Sequence, residues 1–131
     1  MRLKPVLVAL FVAAFVLLAG CRTSPVYNVY DAPVMVTGNK PYTAEDVEKA
    51  IIRAGAGLGW QVRKVKPGQL IGTLFIRSHM AEVDITYSKD KYNIRYKNSN
   101  NLNYDGTKIH SNYNGWIQNF DNAIKRELLS I

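Results

Sequence analysis

Between Met80 and Lys97 the chain alternates apolar with polar or charged residues on both sides of Lys89-Asp90. One antiparallel register accounts for both sets. A two-residue turn at Lys89-Asp90 sets Tyr87 opposite Tyr92, Ile85 opposite Ile94 and Val83 opposite Tyr96. On the other face it sets Asp84 opposite Arg95 and Glu82 opposite Lys97. A slip of one residue would turn every apolar side chain to the charged face, so the pattern fixes both the pairing and the face that is buried. Lys-Asp lacks the glycine of a type I′ turn, which leaves a longer loop open. A sheet with one apolar face needs a second layer to cover it.

The neighbouring segments extend the sheet and supply that layer. Leu70 to Arg77 reads as a strand, and a turn at Ser78-His79 places Ile76 by Ala81, Leu74 by Val83 and Leu70 by Tyr87. Trp60 to Val65 reads as the first strand, joined through Lys66-Pro67-Gly68-Gln69, where Pro then Gly suits a type II turn. A tight turn there would put Val62 opposite Thr73 and on the wrong face, so a bulge or a longer loop is expected. Ahead of the strands, Thr43 is a good N-cap, followed by Glu45, Asp46 and Glu48 in the first turn. Val47, Ala50, Ile51, Ala54 and Leu58 recur at helical spacing, and Gly55, Gly57 and Gly59 are read as the end of that helix. This glycine run follows a helix rather than a strand, which argues against a phosphate loop. After the strands, Ser111 or Asn112 caps a second helix whose Tyr113, Trp116, Ile117, Phe120, Ile124 and Leu128 share one face. The expected fold is α+β: an antiparallel four-stranded meander with an N-terminal and a C-terminal helix packed on one face, a two-layer sandwich spanning 34–131.

The N-terminus reads as an export signal. Arg2 and Lys4 supply charge, Val6 to Leu18 an apolar run, and Ala19-Gly20 the small residues before a cleavage point. The run is shorter than the roughly 20 apolar residues of a membrane-spanning helix. Leu18-Ala19-Gly20-Cys21 resembles the lipobox of bacterial lipoproteins, and Cys21 is the sole cysteine of the chain. The resemblance implies cleavage between Gly20 and Cys21, a diacylglyceryl group on the Cys21 thiol and an N-acyl chain such as palmitate on its amine. Arg22 where an inner-membrane retention signal would carry Asp implies passage to the outer membrane, facing the periplasm. The pattern from Ile94-Arg95-Tyr96 through Asn100-Asn101-Leu102 to Ile109-His110-Ser111-Asn112-Tyr113-Asn114-Gly115-Trp116, together with the lipobox, is similar to small proteobacterial lipoproteins of unassigned function. That group pairs a lipobox with a compact α+β domain, and the resemblance brings no activity with it.

On this reading residues 1–20 are the signal peptide and 21–33 a lipidated tether. Ser24-Pro25 and Ala32-Pro33 punctuate the tether, which shows no clean period. About ten extended residues would let the domain stand up to ~35 Å from the bilayer. Val34-Met35-Val36 is read as a short strand at a sheet edge, and Tyr27 and Tyr30 either lie at the lipid interface or are ordinary tether residues. Removing 20 residues from 131 leaves 111, enough for one small domain that folds without disulfides. Loss of Arg2 and Lys4 lowers the formal charge from +7 to +5. Export excludes nucleic acid, so a basic surface points to anionic head groups, lipopolysaccharide, peptidoglycan or an acidic protein surface, or to no partner at all.

Little in the sequence carries chemistry. His79 and His110 lack companions at metal-ligand spacing. His110 beside Ser111 suggests a nucleophile and base only weakly, because sequence neighbours rarely face each other, and a cap role for Ser111 accounts for the pair. Glu82 and Asp84 read as a surface charge ladder against Lys97 and Arg95. The chain is therefore expected not to be an enzyme and to hold no metal and no cofactor beyond the lipid on Cys21. The candidate binding surface is Asn100, Asn101, Asn103, Tyr104, Asn112 and Tyr113, residue types that offer adaptable hydrogen bonds and stiff aromatic area. The alternative is that the asparagines satisfy loop backbone. Ile71, Phe75 and Met80 on the outer sheet face form a second candidate patch, either a docking site or a seat for the tether, while Trp60 and Trp116 read as core. The function expected is that of a membrane-anchored, non-enzymatic interaction or accessory component of the cell envelope with a protein partner. The alternative is a module that binds peptidoglycan or another glycan.

Overall fold

The computed structural model describes residues 22–131. The expected signal sequence, the expected cleavage point between Gly20 and Cys21, and Cys21 itself, the expected lipidation site, lie outside them. The described chain runs β1 (Thr23–Pro25), β2 (Val29–Pro33), α1 (Ala44–Gly57), β3 (Gln61–Lys66), β4 (Gln69–Ile76), β5 (His79–Tyr87), β6 (Lys91–Asn100), β7 (Lys108–His110) and α2 (Ser111–Leu128). Strands β2 to β6 form a five-stranded sheet in the order β2-β6-β5-β4-β3, and β1 pairs with β7 in a separate ribbon. The fold is α+β. The four-stranded meander expected from sequence runs from the β3 edge to β6, β2 adds a fifth strand at the other edge, and the ribbon is a second sheet.

The central hairpin holds the expected register: Tyr87 faces Tyr92, Ile85 faces Ile94, Asp84 faces Arg95 and Val83 faces Tyr96. Beyond that point a bulge at Lys97 shifts the pairing, so Glu82 meets Asn98 rather than Lys97. The Lys97 ammonium reaches instead to Asp84, 3.7 Å away. The β4–β5 turn falls at Arg77-Ser78, one residue earlier than expected, and Leu74 faces Ala81 while Leu70 faces Ile85. Moving the turn by one residue shifts the pairing by two, so the same side chains stay on the buried face. A bulge between Lys64 and Lys66 brings Val62 opposite Gly72, as the misfit of a tight turn required. Gly68 takes φ 88, the value a type II turn demands at its third position.

The two helices cover the even-numbered face of β4 and β6 and the odd-numbered face of β5. Val47, Ala50, Ile51 and Ala54 of α1, with Ile117, Phe120, Ile124 and Leu128 of α2, share one buried cluster with Leu70, Leu74, Val83, Ile85, Tyr92 and Ile94. Helix α1 opens with a capping box. The Thr43 amide donates to Asp46 Oδ2 at 2.9 Å, and the Asp46 amide donates to Thr43 Oγ1 at 3.3 Å. Gly55 lies inside α1 rather than at its end. It is buried, and a Cβ there would come within 2.6 Å of Val62 Cγ2. Leu58 is the C-cap and is exposed, so it does not extend the buried stripe.

Two acids are buried with the core, each held by a tyrosine and a lysine. Tyr87 donates its hydroxyl to Glu48, and Lys64 Nζ lies 3.2 Å from the same carboxylate oxygen. Tyr92 likewise donates to Asp121, whose other oxygen is 3.2 Å from Lys125 Nζ. The Tyr87 bond, aided by Lys64, holds the Glu48 carboxyl below its ordinary range despite burial. Burial and then the Asp121 carboxylate push the Tyr92 hydroxyl up.

The segment expected as an irregular tether contains strands. In β2, Val29 faces Ile94 and Ala32 faces Tyr92 across a bulge, and both side chains are buried. Asp31 takes φ 50 at this bulge, and its amide donates to Asn93 Oδ1 at 2.8 Å. Two inward residues three apart fit neither a strand nor a helix period, which is why the sequence showed no pattern. Val34-Met35-Val36, expected as the edge strand, follows the ladder instead. Ahead of β2, Thr23 faces His110 and Pro25 faces Lys108. Asn114 fastens this stretch to α2: its Oδ1 accepts from the Tyr27 amide, and its Nδ2 donates to Ser24 Oγ and to the Pro25 carbonyl, each at 2.9 Å.

Candidate functional site

The asparagine-rich segment is half strand and half loop. Because β5 begins at His79, β6 continues as its partner to Asn100, with Asn98 opposite Glu82 and Asn100 opposite Met80. The chain then turns through Asn101 at φ 59 and Asn103 at φ 53, left-handed conformations that asparagine adopts more readily than most residues. Between them Leu102 plugs the core, and its carbonyl accepts from the His110 amide at 2.8 Å. Asp105 Oδ1 accepts from the Thr107 and Lys108 amides at 2.8 and 2.7 Å, closing the loop. Those two bonds hold the Asp105 carboxyl below its usual range.

The residues from Tyr96 to Tyr104 surround an open concavity of about 670 Å³. An aromatic stack lies at one side of it. The Tyr104 ring lies over Tyr96 with centroids 4.1 Å apart, and Tyr113 meets Tyr96 edge-on at 5.7 Å. The Tyr96 hydroxyl is 2.7 Å from Ser99 Oγ, which fixes the lower ring. Tyr104 is 41% exposed, enough to offer one ring face to a ligand. Of the six residues proposed from sequence, Asn100, Asn101, Asn103, Tyr104 and Asn112 are exposed. Tyr113 is fully buried, and its hydroxyl has no hydrogen-bond partner among the described residues, so it supports the surface from beneath instead of presenting to it. Burial, with Tyr96 and Tyr104 nearby, pushes that hydroxyl up.

The asparagines divide between two uses. Asn101 Nδ2 donates to Ser78 Oγ at 2.9 Å, and Asn98 Oδ1 accepts from the Ser99 amide at 2.9 Å, so these two serve the loop itself. Among the described residues Asn100, Asn103 and Asn112 make no side-chain hydrogen bond and are exposed. Sequence reasoning left out Tyr96. Tyr96 belongs to the apolar face by alternation, and Tyr104 packs on it from the loop beyond β6.

The histidines have structural partners. His110 is the N-cap of α2, with Nδ1 accepting from the Asn112 amide at 3.1 Å; Ser111, expected as a cap, is the first helical residue. His79 Nδ1 lies 2.7 Å from the Asn101 carbonyl, and its ring is near Trp116. Among the described residues no three His, Cys, Asp or Glu side chains gather as metal ligands, and no helix is long and apolar enough to cross a membrane.

Two other surfaces are shaped. On the outer sheet face Ile71 is buried and Phe75 is 63% exposed, and Phe75, Arg63 and Glu82 line an open concavity of about 450 Å³. A smaller apolar groove of about 190 Å³ runs between Trp60, Leu74, Ile76 and Trp116. Trp60 is buried against Phe120 as expected of core, while Trp116 is half-buried at the groove rim. Compared with known proteins, the chain matches no family model, no curated protein and no solved structure.

Proposed function

We propose that the protein is a bacterial lipoprotein anchored by acyl chains on Cys21, in the outer membrane and facing the periplasm. There it serves as a non-enzymatic interaction component of the envelope, and the surface of Asn100, Asn103, Tyr104 and Asn112 is its contact site. The observation that carries this reading is the Tyr96–Tyr104 stack beside exposed asparagines whose amides the loop does not use. A preordered ring and free amides bind with little loss of conformational entropy. The alternative of a hydrolase using His110 is disfavoured because His110 Nδ1 is engaged by the helix it caps. The test is photo-crosslinking in the host cell from positions 100, 104 and 112. One dominant protein adduct supports the reading, and absence of any protein adduct from all three positions refutes it.

A second reading, a module for peptidoglycan or another glycan, is favoured by one feature. The exposed Tyr104 ring, with amides beside it, can stack on the C–H face of a sugar while hydroxyls bond the amides. A stacking contact of up to about 1.5 kcal/mol is a factor of roughly ten in affinity. Tyr104→Ala should therefore lower retention on purified sacculi about tenfold. No retention of the unaltered protein in low salt would end this reading.

A further inference from the structure

We propose that the domain lies directly on the membrane, with the end bearing the asparagine-rich loop and the start of α2 seated in the lipid head groups. The inference rests on the lipidation of Cys21 put forward above and goes beyond it: lipid, and not a protein, then occupies the end of the candidate surface at Asn112.

The first ground is reach. Strand β1 begins at Thr23, so only Arg22 separates it from Cys21. Two residues span at most about 7 Å. The head-group layer of one leaflet is about 5–8 Å thick. A cysteine whose thiol and amine both carry acyl chains is held at the inner margin of that layer, so Thr23 reaches no farther than its outer margin.

The second ground is that β1 is not a loose leader. Besides its ladder with β7, the Val26 amide donates to the Thr107 carbonyl at 3.1 Å, and Asn114 makes the three bonds described above. Standing the domain off the bilayer would break all of these together.

The third ground is what lies at that end. Thr23 faces His110, the residue that caps α2. The His110–Leu102 backbone bond and the Asn101–Ser78 side-chain bond gather the loop and the β4–β5 turn around the same point. The exposed groups there are Arg22, Arg77 and Lys108 with Asn101, Ser111 and Asn112. The nearby acid, Asp105, is already engaged by its own loop amides. Arginine and amide donors suit the phosphate and ester oxygens of head groups. The opposite end holds Pro67-Gly68, the Ser88–Lys91 turn and the Thr43 cap, about 30 Å away along the nine residues of β5.

The test uses the full-length lipidated protein in vesicles of phosphatidylethanolamine and phosphatidylglycerol containing nitroxide-head-group lipid. With Cys21 acylated, an introduced cysteine is the one free thiol in the chain. A fluorophore is placed by Ser78→Cys or Asn112→Cys at the near end, and by Lys66→Cys or Lys89→Cys at the far end. Mass spectrometry reads the state of Cys21 in each sample. Because the ends lie about 30 Å apart, quenching at both near positions should exceed that at both far positions by roughly threefold or more. Acylated Cys21 with equal quenching, or with stronger quenching at the far end, overturns the inference and leaves the anchor standing. Unmodified Cys21 overturns both.

Discussion

Glu48 and Asp121 are acids in a core that tolerates them only because each is bonded on both sides. For Glu48 the consequence is a pH dependence. Its folded carboxyl ionises below the ordinary range because Tyr87 donates to the charged form. As pH falls past about 4.3, the unfolded chain takes up a proton that the folded chain still refuses, so stability present at neutral pH is lost on acidification. Tyr87→Phe should cost about 1–3 kcal/mol at pH 7, and it should flatten this acid loss because the folded carboxyl then ionises nearer its usual value. Urea midpoints at pH 7 and pH 4 would show both. Tyr113 makes the opposite case. Its buried hydroxyl has no partner, so Tyr113→Phe should be neutral or stabilising by up to ~1 kcal/mol, whereas a drop of more than ~1 kcal/mol would reveal a missing bond. Tyr113 also shows where residue-level reading divides. Its helical spacing put it on the buried face of α2 and its composition put it among binding residues, and only packing against Tyr96 decides between them.

At the scale of elements, periodicity was legible wherever the ladder was regular. The β5–β6 pairing followed from alternation, but the bulges at Lys97 and in β2 did not, because an extra residue breaks the very period that is being read. Of the glycines read as ending α1, Gly57 is its last residue and Gly59 follows the cap at φ 88, but Gly55 lies inside, because composition does not say whether a glycine ends a helix or lets another element approach it. Gly55 does the latter. Replacing an interior helix glycine by alanine ordinarily gains about 0.5–1 kcal/mol. At Gly115 a Cβ meets nothing within 4 Å, so Gly115→Ala should raise stability by that amount. At Gly55 the Cβ would press on Val62, Phe120 and Trp60 at once, and Gly55→Ala should lower stability by about 1–3 kcal/mol. Thermal melts of the two variants should move in opposite directions.

For the whole molecule, the two-layer α+β arrangement was readable because helices and strands each declared an apolar face. The place of the N-terminal segment was not, since its partners lie far along the chain. Tyr27 is fastened to Asn114, 87 residues later. Contacts between β3, β4, β5 and β6 are by contrast made between neighbours in sequence. Pairing across so long an interval costs loop-closure entropy before it returns anything. Pulse-labelled hydrogen exchange during refolding should therefore find the amides of β4 to β6 protected before those of Val26 and Tyr27. Simultaneous protection would contradict this order.

The stitch between the first strand and the last helix also bears on biogenesis. Synthesis delivers Thr23 early and Asn114 almost at the end, so the leading segment waits without its partner while nearly the whole domain is made. During that interval Thr23 to Tyr27 lack the partners that hold them in the folded domain. Once α2 arrives, the ribbon closes and Asn114 ties it to the helix. The first strand to be made is thus among the last to be locked, and it is locked only when the C-terminal helix docks.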